Sequence, residues 1–204
     1  MSFYRHHILP PLLNFAMRQK SLQPFRDRVI QCATGNVLEI GIGSGLNLPL
    51  YGSGVRSVIG VEPSVELLAM ARQRVKLATV PIELLCASAE ALPIDSGSVD
   101  TVVTTWSLCT IPNAHLALQE ARRVLRPGGT LLFVEHGRAP EAGIARWQDR
   151  LDPLWSHIAG GCHLNREIDQ LIMGAGFRID TMRHDHMPGP PTHTYFYEGQ
   201  ARPR

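Results

Sequence analysis

The chain has 204 residues, of which 44% are apolar and 19% charged, with a formal net charge of +2. That length supports one domain with one sizeable core, and that composition excludes a disordered polyelectrolyte. A balance so near neutral also argues against nucleic-acid binding by phosphate neutralisation, and the local cluster Arg122, Arg123 and Arg126 reads as the basic end of a helix.

The first residues mix apolar positions (Phe3, Ile8, Leu9, Leu12, Leu13, Phe15, Met17) with Arg5, His6, His7, Arg18 and Lys20. Residues 1–35 are expected to form a helical segment, broken at Pro10-Pro11, resumed from Leu22 to Cys32, and covering the substrate site. Its basic amphipathic character also suits peripheral contact with a membrane surface. No apolar run approaches the ~20 residues that a membrane-spanning helix needs. Cys32, Cys86, Cys109 and Cys162 stand far apart with no C-x-x-C pair, which reads as reduced thiols in a cytoplasmic protein.

The catalytic unit is expected over residues 36–204 and opens with NVLEIGIGSGLN. Val37, Leu38 and Ile40 give the apolar run of a strand covered on both faces. Gly41, Gly43 and Gly45 then follow as G-x-G-x-G, where a dinucleotide fingerprint would read G-x-G-x-x-G. The first glycine permits the turn, the second lets a ligand approach the backbone, and the third lets the next helix pack on the strand. Acidic Glu39 beside this loop would repel a phosphate and suit an ammonium group. An amino acid joined to a nucleoside meets both demands, and S-adenosylmethionine is such a molecule.

A short helix is expected near Leu46 to Tyr51, then a strand from Ser57 to Val61 that ends on Glu62. That acid follows the first glycine at the distance at which an open α/β sheet places a ribose-binding carboxylate. A helix from Ser64 to Ala78 carries Ser64 as its N-cap, and a strand follows from Ile82 to Cys86. Ser88, Ala89 and Glu90 reach the end of that strand, where they can present polar groups to a purine edge. The next strand, opened by Asp100, runs from Thr101 to Thr105, and a helix spans Asn113 to Leu125. Arg126-Pro127-Gly128-Gly129 ends it ahead of a strand from Thr130 to Val134. Helices at Glu141 to Ile158 and Asn165 to Gly174 lead to two strands, Gly176 to Asp185 and His193 to Gln200, separated by Met187-Pro-Gly-Pro-Pro. The alternation predicts an α/β fold with a mostly parallel sheet, a C-terminal antiparallel hairpin, and ligands at the strand C-termini.

The segments VLEIGIGSG, GVEPS, SAEALPIDSGSVD, ARRVLRPGG and TLLFVEH, in this order over Val37 to His136, resemble class I S-adenosylmethionine-dependent methyltransferases. The later segments SLCTIPN, EHGRAP and WQDRLDPLWSHIAGGCHLNRE are similar to a narrower branch, the alkyl-thiol methyltransferases of the methyltransferase-like group and their bacterial relatives. The resemblance implies a single-domain Rossmann-like fold with seven strands. It also implies S-adenosylmethionine as cofactor, S-adenosylhomocysteine as product, and methyl transfer to a small-molecule acceptor, a thiol sulfur before a phospholipid amine or a quinone. By the same resemblance Glu39, Gly41, Gly43 and Gly45 hold the methionine end and Glu62 the ribose. Ser88, Ala89 and Glu90 flank the adenine, Thr104 and Thr105 through Ser107 line the methyl group, and Asn47 and Pro63 complete the cofactor set. The eukaryotic thiol enzymes carry an N-terminal membrane anchor ahead of the point where this chain begins, so the expectation is a cytoplasmic monomer or homodimer.

Methyl transfer from a sulfonium asks the protein to align the nucleophile and exclude water, with a base to generate a thiolate. His136, just beyond its strand, and Asp152 are the candidate catalytic residues, with His157 and His163 as alternatives. Trp106, Cys109, Trp155 and His163 are expected at the substrate, with Trp147 either a further wall or core. Cys109 and Cys162 otherwise read as small packing residues. No metal is expected, because His184, His186 and His193 lack a further acid or cysteine. A nicotinamide oxidoreductase and a non-catalytic cofactor-binding protein remain as alternatives from other classes.

Overall fold

The computed structural model describes residues 3–204, so the first two residues of the expected N-terminal segment lie outside the described residues. Helices α1 (Leu9–Met17) and α2 (Gln23–Gln31) precede β1 (Gly35–Ile40). The chain then runs β2 (Val55–Val61), α3 (Val65–Val75), β3 (Ile82–Leu85), β4 (Val99–Thr105), α4 (Ala114–Val124) and β5 (Leu125–His136). It closes with α5 (Ala142–Ile158), α6 (Ile168–Gly174), β6 (Phe177–His186), α7 (Pro191–Thr194) and β7 (Tyr195–Pro203).

Successive side chains of a strand point to opposite faces, and the apolar strands divide between two layers accordingly. Leu38, Val102, Leu131 and Phe133 pack with α4 and α6 through Leu118, Ala121, Ile168 and Ile172. Val37, Val103, Leu132 and Val134 pack on the other face with Val29, Ile30 and Leu68 of α2 and α3. The strand order is β3-β2-β1-β4-β5-β7-β6. The first five strands pair in parallel, β7 is antiparallel to β5, and β6 is antiparallel to β7. The expected seven-stranded Rossmann-like sheet with a terminal hairpin is therefore present. From β1 the chain winds outward through β2 and β3, then returns to the other side of β1 with β4. The C-terminal ends of β1 and β4 thus lie side by side at a topological switch point, where open α/β sheets bind ligands.

Several boundaries differ from expectation for local reasons. Pro10 and Pro11 do not break the first helix but lie in the opening turn of α1, where a missing N–H costs nothing. The helix expected near Leu46 to Tyr51 is a single tight turn, Leu48–Leu50, since Tyr51 is already extended. Arg126 to Gly129 do not separate helix from strand. They bulge out of β5, whose register with β4 slips there, and Gly128 takes the left-handed φ of 81°. Helix α6 starts at Ile168, and the one-turn helix α7 takes the end of the expected hairpin turn and the first residues of the strand expected from His193.

Gly199 marks where the hairpin seats on the parallel sheet: a Cβ there would land on the Thr181 carbonyl and 2.8 Å from Cζ of buried Phe133. Gly199→Ala is expected to destabilise the fold by about 1–3 kcal/mol, the range for overpacking. Phe133→Leu should not rescue it, because the backbone of β6 is also in the way. Urea midpoints of the two variants and their combination check this, and full rescue would contradict the seating.

Candidate functional site

Each glycine of the loop after β1 has its own spatial reason. All three take left-handed φ values, 66° at Gly41, 56° at Gly43 and 79° at Gly45. A Cβ on Gly41 would strike the Ser107 side chain, and one on Gly45 would meet Leu48 and Ala71. The third glycine therefore serves packing against both the short turn Leu48–Leu50 that follows the loop and α3. A Cβ on Gly43 would meet only the Gly41 carbonyl, at 3.9 Å. Gly43 alone faces open space, and its N–H donates to Glu62 Oε2 at 3.1 Å, while Ser64 N–H donates to Oε1 at 3.0 Å. The acid ending β2 and the loop ending β1 are thereby joined at the C-terminal edge of the sheet, the side on which an open α/β fold holds its ligand cleft.

Glu39 is buried on the α2 side of the sheet, with Oε1 accepting from Asn47 Nδ2 at 2.7 Å and Oε2 from the Tyr51 hydroxyl at 2.7 Å. Burial pushes its carboxyl up to about 7 against these two donors and Arg26. Asn47 also donates to Thr105 Oγ1 at 3.0 Å and accepts from Arg26 at 2.8 Å. The Arg26 guanidinium lies 4.8 Å over the ring of Trp106. Further contacts tie the N-terminal segment to α3: Asn14 accepts from Arg74, which also reaches the Ser44 carbonyl, and His6 lies 2.5 Å from Glu66. On the far side of the cleft, Ser88 and Glu90 bond each other, and Glu90 Oε1 accepts from Asn113 N–H at 2.6 Å. Ala89 is buried beside them, and Pro63 is exposed at the mouth.

The edge formed by β4 and β5 is organised by Glu135, whose carboxylate accepts from the Thr104 hydroxyl at 2.7 Å and from the N–H groups of Ser107 and Leu108, both at 3.1 Å. Between these donors Trp106 takes a left-handed φ of 51°. The turn delivers buried Cys109 to His136 at the end of β5 and to Cys162 in the loop after α5. The sulfur of Cys162 lies 3.1 Å from His136 Nε2 and 3.8 Å from the sulfur of Cys109. A hydrogen bond from Cys109, together with His136, pushes the Cys162 thiol down to about 4, while the same pairing raises Cys109. Burial opposes charge on His136, but its bond to Cys162 leaves it raised. Trp155 stacks edge-on against His193 at 4.5 Å, and its buried Nε1 has no hydrogen-bond partner.

Asp152 uses both oxygens locally, Oδ2 with His163 Nδ1 at 2.9 Å and Oδ1 with Leu164 N–H at 2.7 Å. His163 N–H in turn donates to the Cys109 carbonyl at 2.8 Å. Trp147 and His157 are exposed on α5. His184, His186 and His193 bond different neighbours, Tyr195, Glu141 and Thr192 respectively. Sequence reading missed Arg26, Tyr51 and Glu135, and it took Cys162 as packing. The available signal was an acid at the end of an apolar strand, which Glu39 and Glu135 share.

A methyltransferase domain family matches residues 38–133. A thiol S-methyltransferase of Homo sapiens, TMT1B, is 34% identical over 197 residues, covering 91% of this chain and 78% of that protein. A phosphatidylethanolamine N-methyltransferase of Cereibacter sphaeroides is 36% identical over 126 residues, covering 57% and 62% of the two chains. Among solved structures, a SAM-dependent methyltransferase from Aquifex aeolicus aligns with a TM-score of 0.66 at 18% identity, covering 94% of this chain and 97% of that one.

A carboxyl whose pKa is higher in the folded than in the unfolded chain holds its proton more tightly when folded. Its contribution to stability is complete below about 4.5 and fades as the pH rises toward 7. Glu39, held near 7, should contribute such a fall. Glu39→Gln is expected to keep the fold and flatten the loss of stability between pH 4.5 and 7.5 by about 1–3 kcal/mol. Denaturant midpoints across that range at constant ionic strength check it, and an unchanged slope would mean that Glu39 is already ionised at the acid end.

Proposed function

The chain belongs to the class I S-adenosylmethionine-dependent methyltransferases, and from that premise we propose that its acceptor is the sulfur of a small-molecule thiol. The observation that carries this reading is the reach of the thiol-enzyme similarity. It extends over 91% of the chain, well past residues 38–133 and into the segment that builds the acceptor side. The phospholipid-enzyme similarity extends over 57% of the chain and supports a lipid amine less.

In this reading the cofactor lies against Gly43, where an added Cβ would meet nothing of the protein nearer than the Gly41 carbonyl at 3.9 Å and would occupy the ligand's space. S-adenosylmethionine brings a methyl group already activated by sulfonium charge, so in-line attack by the acceptor completes the transfer. In this reading Gly41, Gly43 and Gly45 shape the backbone for the methionine end, and Glu62 and Pro63 take the ribose side. Ser88, Ala89 and Glu90 border the adenine. Glu39 braces the loop through Asn47 and Tyr51. Thr104 and Thr105 act through what they bind, fixing the strand end from which Trp106 and Cys109 reach the acceptor. On the same reading the acceptor's proton leaves by way of His163, oriented by Asp152, His136 lies beside the acceptor sulfur, and Trp155 walls the pocket. Alignment of this kind is worth roughly 7–11 kcal/mol in well-oriented reactions.

Among the described residues no helix is long and apolar enough to cross a membrane. Exposed Ile8, Leu12 and Phe15, with Leu154 and Ile158 at the end of α5, support peripheral contact of the N-terminal face with a bilayer surface. Four unbonded cysteines are consistent with a cytoplasmic site of action.

Two measurements test this reading. Gly43→Val places a β-branched side chain at a left-handed φ, a strain of about 1–3 kcal/mol. It should remain folded by circular dichroism yet lose about tenfold or more in S-adenosylhomocysteine affinity by calorimetry, and unchanged affinity would refute the cradle. Turnover of methyl-labelled cofactor with alkyl thiols, quinols and aminophospholipid vesicles should yield labelled thioether. Label appearing only in the phospholipid would overturn the thiol.

A further inference from the structure

Cys109, His136 and Cys162 arrive from three separate parts of the chain, and their ligand atoms all lie within 4.8 Å of one another. Two thiolates on tetrahedral zinc, with bonds of ~2.3 Å, stand ~3.8 Å apart, and a thiolate and an imidazole nitrogen stand ~3.6 Å apart. The two sulfurs here are 3.8 Å apart, the His136 nitrogen lies 3.1 Å from Cys162 and within 4.8 Å of Cys109, and an ion entering would draw the imidazole away from Cys162 toward Cys109. We propose that Cys109, Cys162 and His136 bind one Zn2+ ion, leaving a fourth position for the sulfur of the acceptor.

The donor set and its surroundings support this assignment. Soft thiolate and imidazole ligands select zinc over magnesium or calcium, and two thiolates neutralise its charge in a half-buried site. Glu135 and Asp152 cannot close the coordination shell, because each is engaged with neighbouring donors. Three protein ligands with one open position distinguish a catalytic zinc from a structural one. Trp155 brings a buried N–H without a hydrogen-bond partner, the kind of donor that an outer shell around metal-bound sulfur employs. The Cys109 turn is held from several sides. Its carbonyl accepts from His163 N–H, and Arg166 caps the Leu108 and Ile111 carbonyls, which preorganises the ligand.

The site would act on the thiol-transfer reading, on which this role rests. An acceptor thiol replaces water on the ion and releases its proton to solvent past half-exposed His163. The metal-held thiolate then forms the new carbon–sulfur bond as the methyl–sulfonium bond breaks, its electron pair staying on the departing sulfur. A neutral thioether binds zinc weakly and leaves, and water returns. No oxidant is consumed.

The chain, reduced with a phosphine and stripped with chelator, is titrated under argon with Co2+ and then Zn2+. One equivalent of Co2+ should give the intense visible bands of a tetrahedral thiolate complex, displaced by one equivalent of Zn2+. Cys109→Ser, Cys162→Ser and His136→Gln should each weaken metal binding by about tenfold or more, while Cys32→Ser and Cys86→Ser leave it unchanged. Adding an alkyl thiol without cofactor should shift the cobalt bands. Absence of stoichiometric metal, or bands that survive in both Cys162→Ser and His136→Gln, would overturn the proposal, as would a Cys109–Cys162 disulfide that re-forms in place of metal uptake. Thiol methylation by metal-free chain would remove the zinc and leave the acceptor reading standing. A metal site that ignores thiols, with no thioether formed, would remove both the acceptor and the open position.

Discussion

The Glu135 carboxylate is the constraint on which the acceptor side depends. It is fully buried, and burial pushes it up to about 7, yet it is ringed by three donors. Those donors belong to the end of β4 and the turn beyond it, so the acid fastens two adjacent strand ends where the sheet stops. A left-handed tryptophan costs about 1–3 kcal/mol and persists only where its surroundings over-determine it. Here Trp106 N–H donates to the Val134 carbonyl, the two following N–H groups are held by Glu135, and Arg26 covers the ring. The strained residue turns the chain so that Cys109 faces His136 and not the core.

Glu39 repeats the device two strands away, on the far side of β4. Both acids end apolar strands, both are buried, and both satisfy their oxygens with donors from the loop they support. One steadies the glycine loop through Asn47 and Tyr51, the other the sulfur-bearing turn. They are linked, since Asn47 touches Thr105 and Arg26 spans from Asn47 to Trp106. On the proposed assignment, donor and acceptor would share a single polar framework, which matters for a reaction whose catalysis is chiefly alignment.

Much of the cofactor side was legible in sequence because its signals are local. A strand followed by three spaced glycines, and an acid at the next strand end, each declare a backbone requirement within a few residues. The Ser64 N-cap was legible for the same reason, with its hydroxyl accepting from Leu67 N–H. The acceptor side was less so. Cys109, His136 and Cys162 have no metal-like spacing and meet only through the order of β4, β5 and the loop after α5. Glu135 looks like any solvated acid at a strand end until the turn after β4 folds over it. The short helix expected at Leu46 to Tyr51 is held to one turn because Tyr51 is already extended, with its hydroxyl turned to Glu39.

The placement of the N-terminal segment follows from the same packing. Gly160 takes a left-handed φ of 69°, and a Cβ there would lie 2.8 Å from buried Leu9 of α1. The Tyr4 hydroxyl donates to the Ile158 carbonyl at the end of α5. The loop that carries Cys162 therefore rests on α1, while α2 reaches the glycine loop through Arg26. One segment, preceding the methyltransferase-domain match altogether, touches both the loop that faces the cofactor cleft and the loop that carries a sulfur ligand. Its packing constrains the distance between them. The N-terminal segment and the region after β5 thus meet each other over the edge of the sheet.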